Sequence, residues 1–216
     1  MYLTRFEVNV RRRESRRLLA SPQRIHAAVL NSFASDRLDG GRILWRVDRG
    51  HHGRVELLIT SPESPDLTAL VEECGWPSTS SWQTADYSRF LARLSTGQAW
   101  RFRLAANPTR SLSQPDRQRS KRVPVIGHHQ LAWLLEKAKA AGFALGDPPQ
   151  ADVTRRDVHR FRRGEAGTGR EVTLATVQFD GALTVTDPVR LRDGLINGIG
   201  PAKGYGCGML TLAPVR

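Results

Sequence analysis

An alternation of apolar and polar residues opens the chain at Tyr2 and starts again at Trp100, and each start is followed by helix and strand signals in a similar order. This repetition constrains the fold more than any single motif does. In the first half, Tyr2, Thr4, Phe6, Val8 and Val10 alternate with Leu3, Arg5, Glu7 and Asn9, a period of two that lays one mainly apolar face on a core. Ser21 before Pro22 predicts a helix start, with the serine capping free N–H groups and the proline forfeiting no bond at the first helical position. Ile25, Ala28, Val29 and Phe33 then carry a helical stripe to about Ala34. Strand patterns at Ile43, Trp45, Val47 and at Val55, Leu57, Ile59 flank a polar turn over 49–53, which predicts a hairpin. A short helix near Asp66 and an irregular stretch over 77–84 complete the half.

The second half begins with Trp100, Phe102 and Leu104, whose opposite face carries Arg101 and Arg103. A polar basic loop is expected over 107–122, then a helix from about His128 to Ala141 and strands near 153–163 and 170–179. Asp180-Gly181 predicts a tight turn into a strand over 182–186. Asp187-Pro188 opens another helix, which ends in a glycine-rich run beginning at Gly198, and Met209 to Ala213 forms the last strand. The order in each half approximates βαββαβ. The fold class expected is therefore α+β, two tandem ferredoxin-like (RRM-like) domains over 1–90 and 98–216, dividing between 85 and 98.

The 216 residues are 39% hydrophobic and 25% charged, ordinary globular values, yet 33 Lys and Arg stand against 21 Asp and Glu, a net charge of +12. A folded basic surface points to a polyanionic partner, and nucleic acid fits better than an anionic membrane because the arginines crowd loops and apparent strands rather than one helix face. No apolar stretch of signal-peptide or membrane-spanning length is present, so a cytoplasmic location without membrane attachment is expected. Cys74 and Cys207 are too few for a disulfide framework and show no zinc spacing. No HExxH or Walker lysine appears, and the adjacent histidines His51-His52 and His128-His129 should diverge too far to chelate. No metal and no cofactor are expected.

Of the six histidines, His26 alone is well placed: it lies in the second turn of the first helix beside the buried Ile25, with Gln23 and Leu30 sharing its side. An imidazole bordering a cleft can accept or donate a proton near neutrality, as cleavage of RNA by its own 2′-hydroxyl requires. Basic residues cluster in three places: Arg11, Arg12, Arg13, Arg16 and Arg17; Arg110, Arg117, Arg119, Lys121 and Arg122; and Arg155, Arg156, Arg160, Arg162 and Arg163. The last set reads as an exposed cationic hairpin suited to gripping phosphates, with its tip over 164–169. RNA suits the chain better than sequence-specific DNA, since no helix-turn-helix or finger pattern is present. The run from Gly198 to Gly208 is no dinucleotide fingerprint, because it follows a helix and leads into a strand. Its glycines, among them Gly198, Gly200, Gly204 and Gly206, let the backbone approach a ligand closely, and with Lys203 they can hold a phosphate.

The opening MYLTRFEVN, the SPQRIH leading the first helix, WRFRLAANPTRS at the start of the second half and the closing GIGPAKGYGCGMLTL together resemble the CasE family over essentially the whole chain. These are the CRISPR-associated endoribonucleases of the Cascade complex. The resemblance implies two ferredoxin-like domains, binding of the repeat stem-loop of CRISPR precursor RNA, and one metal-independent cut at the 3′ base of the stem. It also implies a 2′,3′-cyclic phosphate or 3′-phosphate product, and retention of the mature crRNA hairpin among the other Cascade subunits. The family's histidine falls on His26, its glycine-rich loop on 198–208 and its arginine-rich hairpin on 155–170. Some relatives carry a tyrosine three residues before the histidine, where this chain has Gln23, an auxiliary candidate that can hydrogen-bond but not transfer a proton at ordinary pH. Arg24 and Lys203 are candidates to stabilise charge at the phosphate. His26 can serve as either general base or general acid, and a non-catalytic RNA-hairpin-binding subunit is the alternative reading.

Overall fold

The structure is a computed structural model of the chain. It describes residues 1–34, 41–50, 53–77, 82–112, 121–162, 169 and 171–215. The first half runs β1 (Tyr2–Val8), α1 (Arg13–Leu19), α2 (Pro22–Leu30), β2 (Leu44–Arg49), β3 (Val55–Ser61), α3 (Thr68–Cys74) and β4 (Trp82–Asp86). Its antiparallel sheet has the order β2-β3-β1-β4, so the first strand lies inside, between β3 and β4. A short α4 (Ser88–Ala92) leads into β5 (Ala99–Ala106), β6 (Thr109–Leu112), β7 (Lys121–Pro124), α5 (His129–Ala140), β8 (Phe143–Ala144), β9 (Ala151–Arg162), β10 (Glu171–Val185), α6 (Pro188–Asn197) and β11 (Leu210–Pro214). The second sheet has the order β11-β5-β10-β8, with β9 also paired to β10, again antiparallel. The fold is α+β, built on antiparallel sheets with few helices.

Two apolar clusters match the two sheets. Phe6, Ile25, Val29, Leu57 and Ile59 belong to the first, and the predicted stripe of α2 is what it contributes. The second gathers Phe102, Leu104, Leu134, Phe179, Leu191 and Leu195, and takes in Tyr87, Leu91 and Leu94 from the connecting segment. Each fully buried side chain of this size contributes about 1.5–3 kcal/mol by leaving water.

Several expectations are corrected. Asp180-Gly181 makes no turn, because β10 runs unbroken from Glu171 to Val185. Gly181 pairs with Phe102 on one side and Ala151 on the other, and a Cβ there would sit 2.2 Å from the Gln150 carbonyl oxygen, so the glycine serves close strand approach. The basic loop over 107–122 holds the paired strands β6 and β7, whose exposed, polar residues carry no apolar alternation to reveal them. The arginine cluster at 11–17 is largely helical, since α1 tucks Ser15 against the Cys74 carbonyl. The stretch over 77–84 yields β4 from Trp82 onward. The first helix stops at Leu30 rather than Ala34, and the Ser21 side chain makes no capping bond, although its carbonyl accepts from the Arg24 and Ile25 N–H groups. Asp187 does cap, accepting from the Val189 and Arg190 N–H groups. His128 and His129 do not diverge: their ring centroids lie 3.9 Å apart.

Candidate active site and nucleic-acid interface

The segment after α6 is built to reach back across the molecule. Gly198 and Gly200 take positive φ angles of 77° and 82°, and Ala202 follows in the left-handed region at φ 63°. The base of the loop is closed where the Ile199 N–H donates to the Gly208 carbonyl at 2.9 Å and the Gly208 N–H donates to Ala105 at 2.7 Å. A single 3-10 turn, Lys203–Tyr205, forms its tip and rests on α2.

His26 stands at that contact, half-buried. A Cβ added to Gly204 would lie 3.3 Å from His26 Nε2, a tight contact, so the missing side chain keeps that nitrogen uncrowded. On the other side of the ring, the Trp45 indole N–H donates to His26 Nδ1 at 3.3 Å. Trp45 is itself buried, and Gly206, at φ 79°, lies so close to its ring that a Cβ would come within 2.6 Å of Cζ3. Burial holds the His26 pKa below its ordinary value, disfavouring the imidazolium. Lys203, partly buried beside this tip, is held below the usual lysine range by burial and by the charge of Arg42, against the pull of Asp193.

Beside His26, a cleft of about 100 Å³ opens between the two halves, walled by Pro22, Ile25, Trp45, Arg155, His159 and Tyr205. The arginine cluster of β9 divides between two faces. Arg155 points into this cleft, in an ion pair with Asp157 at 2.6 Å, while Arg156, Arg160 and Arg162 are exposed on the outer face. Arg156 also donates to the Gln130 side chain at 3.1 Å. His159 is half-buried, its pKa lowered by burial and by Arg155 and Arg49, against the pull of Asp157. A larger groove of about 760 Å³ lies behind the glycine loop, lined by Arg110, Arg122, His129, Trp133, Lys137 and Gly200.

The predicted residues thus separate into places. His26, Gly204 and Gly206 come together, with Lys203 at the same loop tip. Gln23 lies three residues before His26 on α2, partly buried, and Arg24 is exposed, donating to the Arg17 carbonyl at 3.4 Å. Gly200 turns away toward Trp133 and the large groove, and Gly198 packs on Leu44. Arg163, Arg117, Arg119, Arg170, His51 and His52 lie outside the described residues, as does the side chain of Lys121. Sequence reasoning missed Trp45, His159 and Tyr205, which reach the cleft only through pairing and loop closure; the aromatic inside the Gly204-Tyr205-Gly206 string was the one signal that could have pointed there.

A family model described as a CRISPR-associated protein matches residues 1–214. Across 99% of its length the chain is 34% identical to the whole of the CRISPR-associated endoribonuclease Cse3 of Thermus thermophilus. The chain belongs to this CRISPR-associated family. It is also 37% identical to the CRISPR system Cascade subunit CasE of Escherichia coli, over 57% of this chain and 62% of that protein. Among solved structures, the CRISPR endoribonuclease Cse3 bound to a 19-nucleotide RNA superposes with a TM-score of 0.80 at 30% identity, covering 99% of each chain. The CasE resemblance read from the sequence motifs is thereby borne out. Among the described residues no helix is long and apolar enough to cross a membrane.

Proposed function

We propose that the chain is a metal-independent endoribonuclease that binds the repeat stem-loop of CRISPR precursor RNA and cuts it once, at the 3′ base of the stem. The observation that carries this reading is the half-buried His26, whose Nε2 lies against Gly204 of the glycine loop, in a chain 34% identical over its length to a CRISPR-associated endoribonuclease. An imidazole so placed lets a ribose-phosphate backbone approach within hydrogen-bonding distance, which a side chain at Gly204 would prevent.

In the reaction the 2′-oxygen attacks the adjacent phosphorus, the bond to the 5′-oxygen breaks, and the products are a 2′,3′-cyclic phosphate and a 5′-hydroxyl. One proton leaves the 2′-hydroxyl and one reaches the departing oxygen. His26 acts at the scissile linkage, Gln23 assists in positioning, and Lys203, Arg24 and the backbone of Gly198, Gly200, Gly204 and Gly206 stabilise phosphate charge. Arg156, Arg160 and Arg162, with Arg163 beyond them, grip the stem, and Arg155 meets the RNA where stem and cleft join. Arg110 and Arg122 add cations around the larger groove, and Lys121, next to Arg122 in sequence, is a further candidate to bind the RNA.

The two halves are tandem ferredoxin-like domains, 1–90 and 98–216. The strand order β4-β1-β3-β2 of the first sheet supports this, as does the order β11-β5-β10 of the second with β8 and β9 beyond. The mature crRNA hairpin stays bound after one turnover and enters Cascade with the other subunits in the cytoplasm. A stem held by many phosphate contacts explains why product would not leave.

The test is incubation of the purified protein with a labelled repeat hairpin in EDTA, followed by sizing of the products. One cut at the 3′ base of the stem, abolished by a 2′-deoxy substitution at the scissile nucleotide, is expected. Tight binding without cutting would favour an RNA-holding subunit, for which Gln23 in place of tyrosine is the argument.

A further inference from the structure

We infer that Trp45 is a positioning residue that fixes the tautomer of His26, so that the imidazole presents a hydrogen-bond donor at Nε2, on the side of Gly204, and does not serve as the base for the 2′-hydroxyl. The inference rests on the reading of His26 as the catalytic imidazole and replaces the two proton-transfer roles open to it with that of a neutral hydrogen-bond donor.

An indole nitrogen only donates, so the Trp45 N–H, 3.3 Å from His26 Nδ1, requires a lone pair there. A neutral imidazole with its lone pair on Nδ1 carries its proton on Nε2. Both other states of the ring set N–H against N–H. The imidazolium does so, and so does the Nδ1–H tautomer that a base acting through Nε2 would need. Trp45 has little freedom to adjust, being 2% exposed, paired with Ile59 in the sheet and flanked by Gly206. A buried indole N–H left without an acceptor biases the tautomers by roughly tenfold to a hundredfold. The low pKa of His26 acts in the same direction, since burial also disfavours the imidazolium.

Nε2–H therefore faces Gly204 of the glycine loop, the side on which the proposed function puts the scissile phosphate. A neutral imidazole N–H at that point stabilises charge developing on the phosphate or on the departing 5′-oxygen without transferring its proton. Proton balance is met by water: the 2′-hydroxyl loses its proton to solvent and the 5′-oxygen takes one from solvent, with no net change.

Nitrogen-15 NMR of the wild-type protein reads the tautomer directly, with the His26 signals identified by their loss in His26→Ala. The expected spectrum has a protonated Nε2 and a hydrogen-bonded, unprotonated Nδ1; a proton on Nδ1 at neutral pH overturns the inference. In Trp45→Phe both tautomers should appear, with hairpin cleavage about tenfold slower and hairpin affinity within a few-fold. A single Nε2–H tautomer with unchanged cleavage in Trp45→Phe also overturns it. Normal cutting by His26→Ala alongside the expected spectrum would instead defeat the catalytic reading of His26 and leave the tautomer assignment standing.

Discussion

Arg46 on β2 donates through Nη1 to the backbone carbonyl of Met209 at 2.9 Å, joining residues 163 positions apart. The same nitrogen donates to the Arg103 carbonyl at 2.9 Å, Nη2 donates to Thr211 at 2.8 Å, and Asp48 holds the guanidinium bidentately. Asp48 also approaches Arg103, which pairs with Asp180 at 2.6 Å. One buried cation thus ties the sheet that carries Trp45 to the strand leaving the glycine loop.

Arg46→Ala should destabilise the protein by about 3 kcal/mol, because it leaves Asp48 short of its main partner and takes a donor from the buried Met209 carbonyl and from the Arg103 carbonyl. Urea unfolding measures this directly. A loss below about 1 kcal/mol would mean that the carbonyls find other donors.

His26→Ala should slow hairpin cleavage by about a hundredfold or more, with hairpin affinity within a few-fold. Gly204→Ala should fold, since φ is not positive there, yet cut poorly, because its Cβ would enter the space 3.3 Å from Nε2. Gly206→Ala should instead lose stability, with a methyl forced to 2.6 Å from the Trp45 ring at a φ of 79°. Single-turnover cleavage beside thermal unfolding separates the two glycines; equal effects would remove the distinction.

Salt titration of hairpin binding should rank the arginines of β9. Arg160→Ala and Arg162→Ala, exposed on the outer face, should each lower the slope of log affinity against log salt by about one. Arg155→Ala should change it less, because its charge is already paired with Asp157. A larger effect at Arg155 would place the stem in the cleft rather than along the outer face.

Stability should fall on acidification through the ordinary histidine range. His26 and His159 both have lowered pKa values in the folded state, so the unfolded chain binds protons first. Their contribution is present above about pH 6.5 and is lost as pH falls from there through the lowered folded values. Melting temperatures from pH 8 to 5 should drop more steeply for the wild type than for His26→Ala with His159→Ala; parallel curves would contradict it. Asp180 adds a later loss at still lower pH, since bonds from Arg103, Thr154 and Gln178 outweigh burial and hold its carboxyl below the usual range.

Most elements are legible in the residue pattern because local chemistry specifies them. The alternation at Tyr2, the Pro22 start, the hairpin strands around Trp45 and Leu57, and the Asp187 cap depend on residues within one or two turns of each other. Where the pattern misleads, a distant partner outweighs the local preference. Asp180-Gly181 has the composition of a turn, but Phe102 and Ala151 pair with Gly181 from both sides and keep it extended. Strands β6 and β7 bury too little to show a period.

By itself the sequence determined the α+β class, the basic character, the candidate histidine and the family, because propensity, charge and motif are properties of neighbouring residues. Only the tertiary structure decided what surrounds His26. Trp45 has the pattern of one more core residue of a strand, and Gly204 that of one more turn glycine. Folding of the first half brought Trp45 on β2 to Nδ1, and closing a loop from near the C-terminus onto α2 brought Gly204 to Nε2. That geometry depends on packing between segments far apart in the chain, which no local pattern encodes.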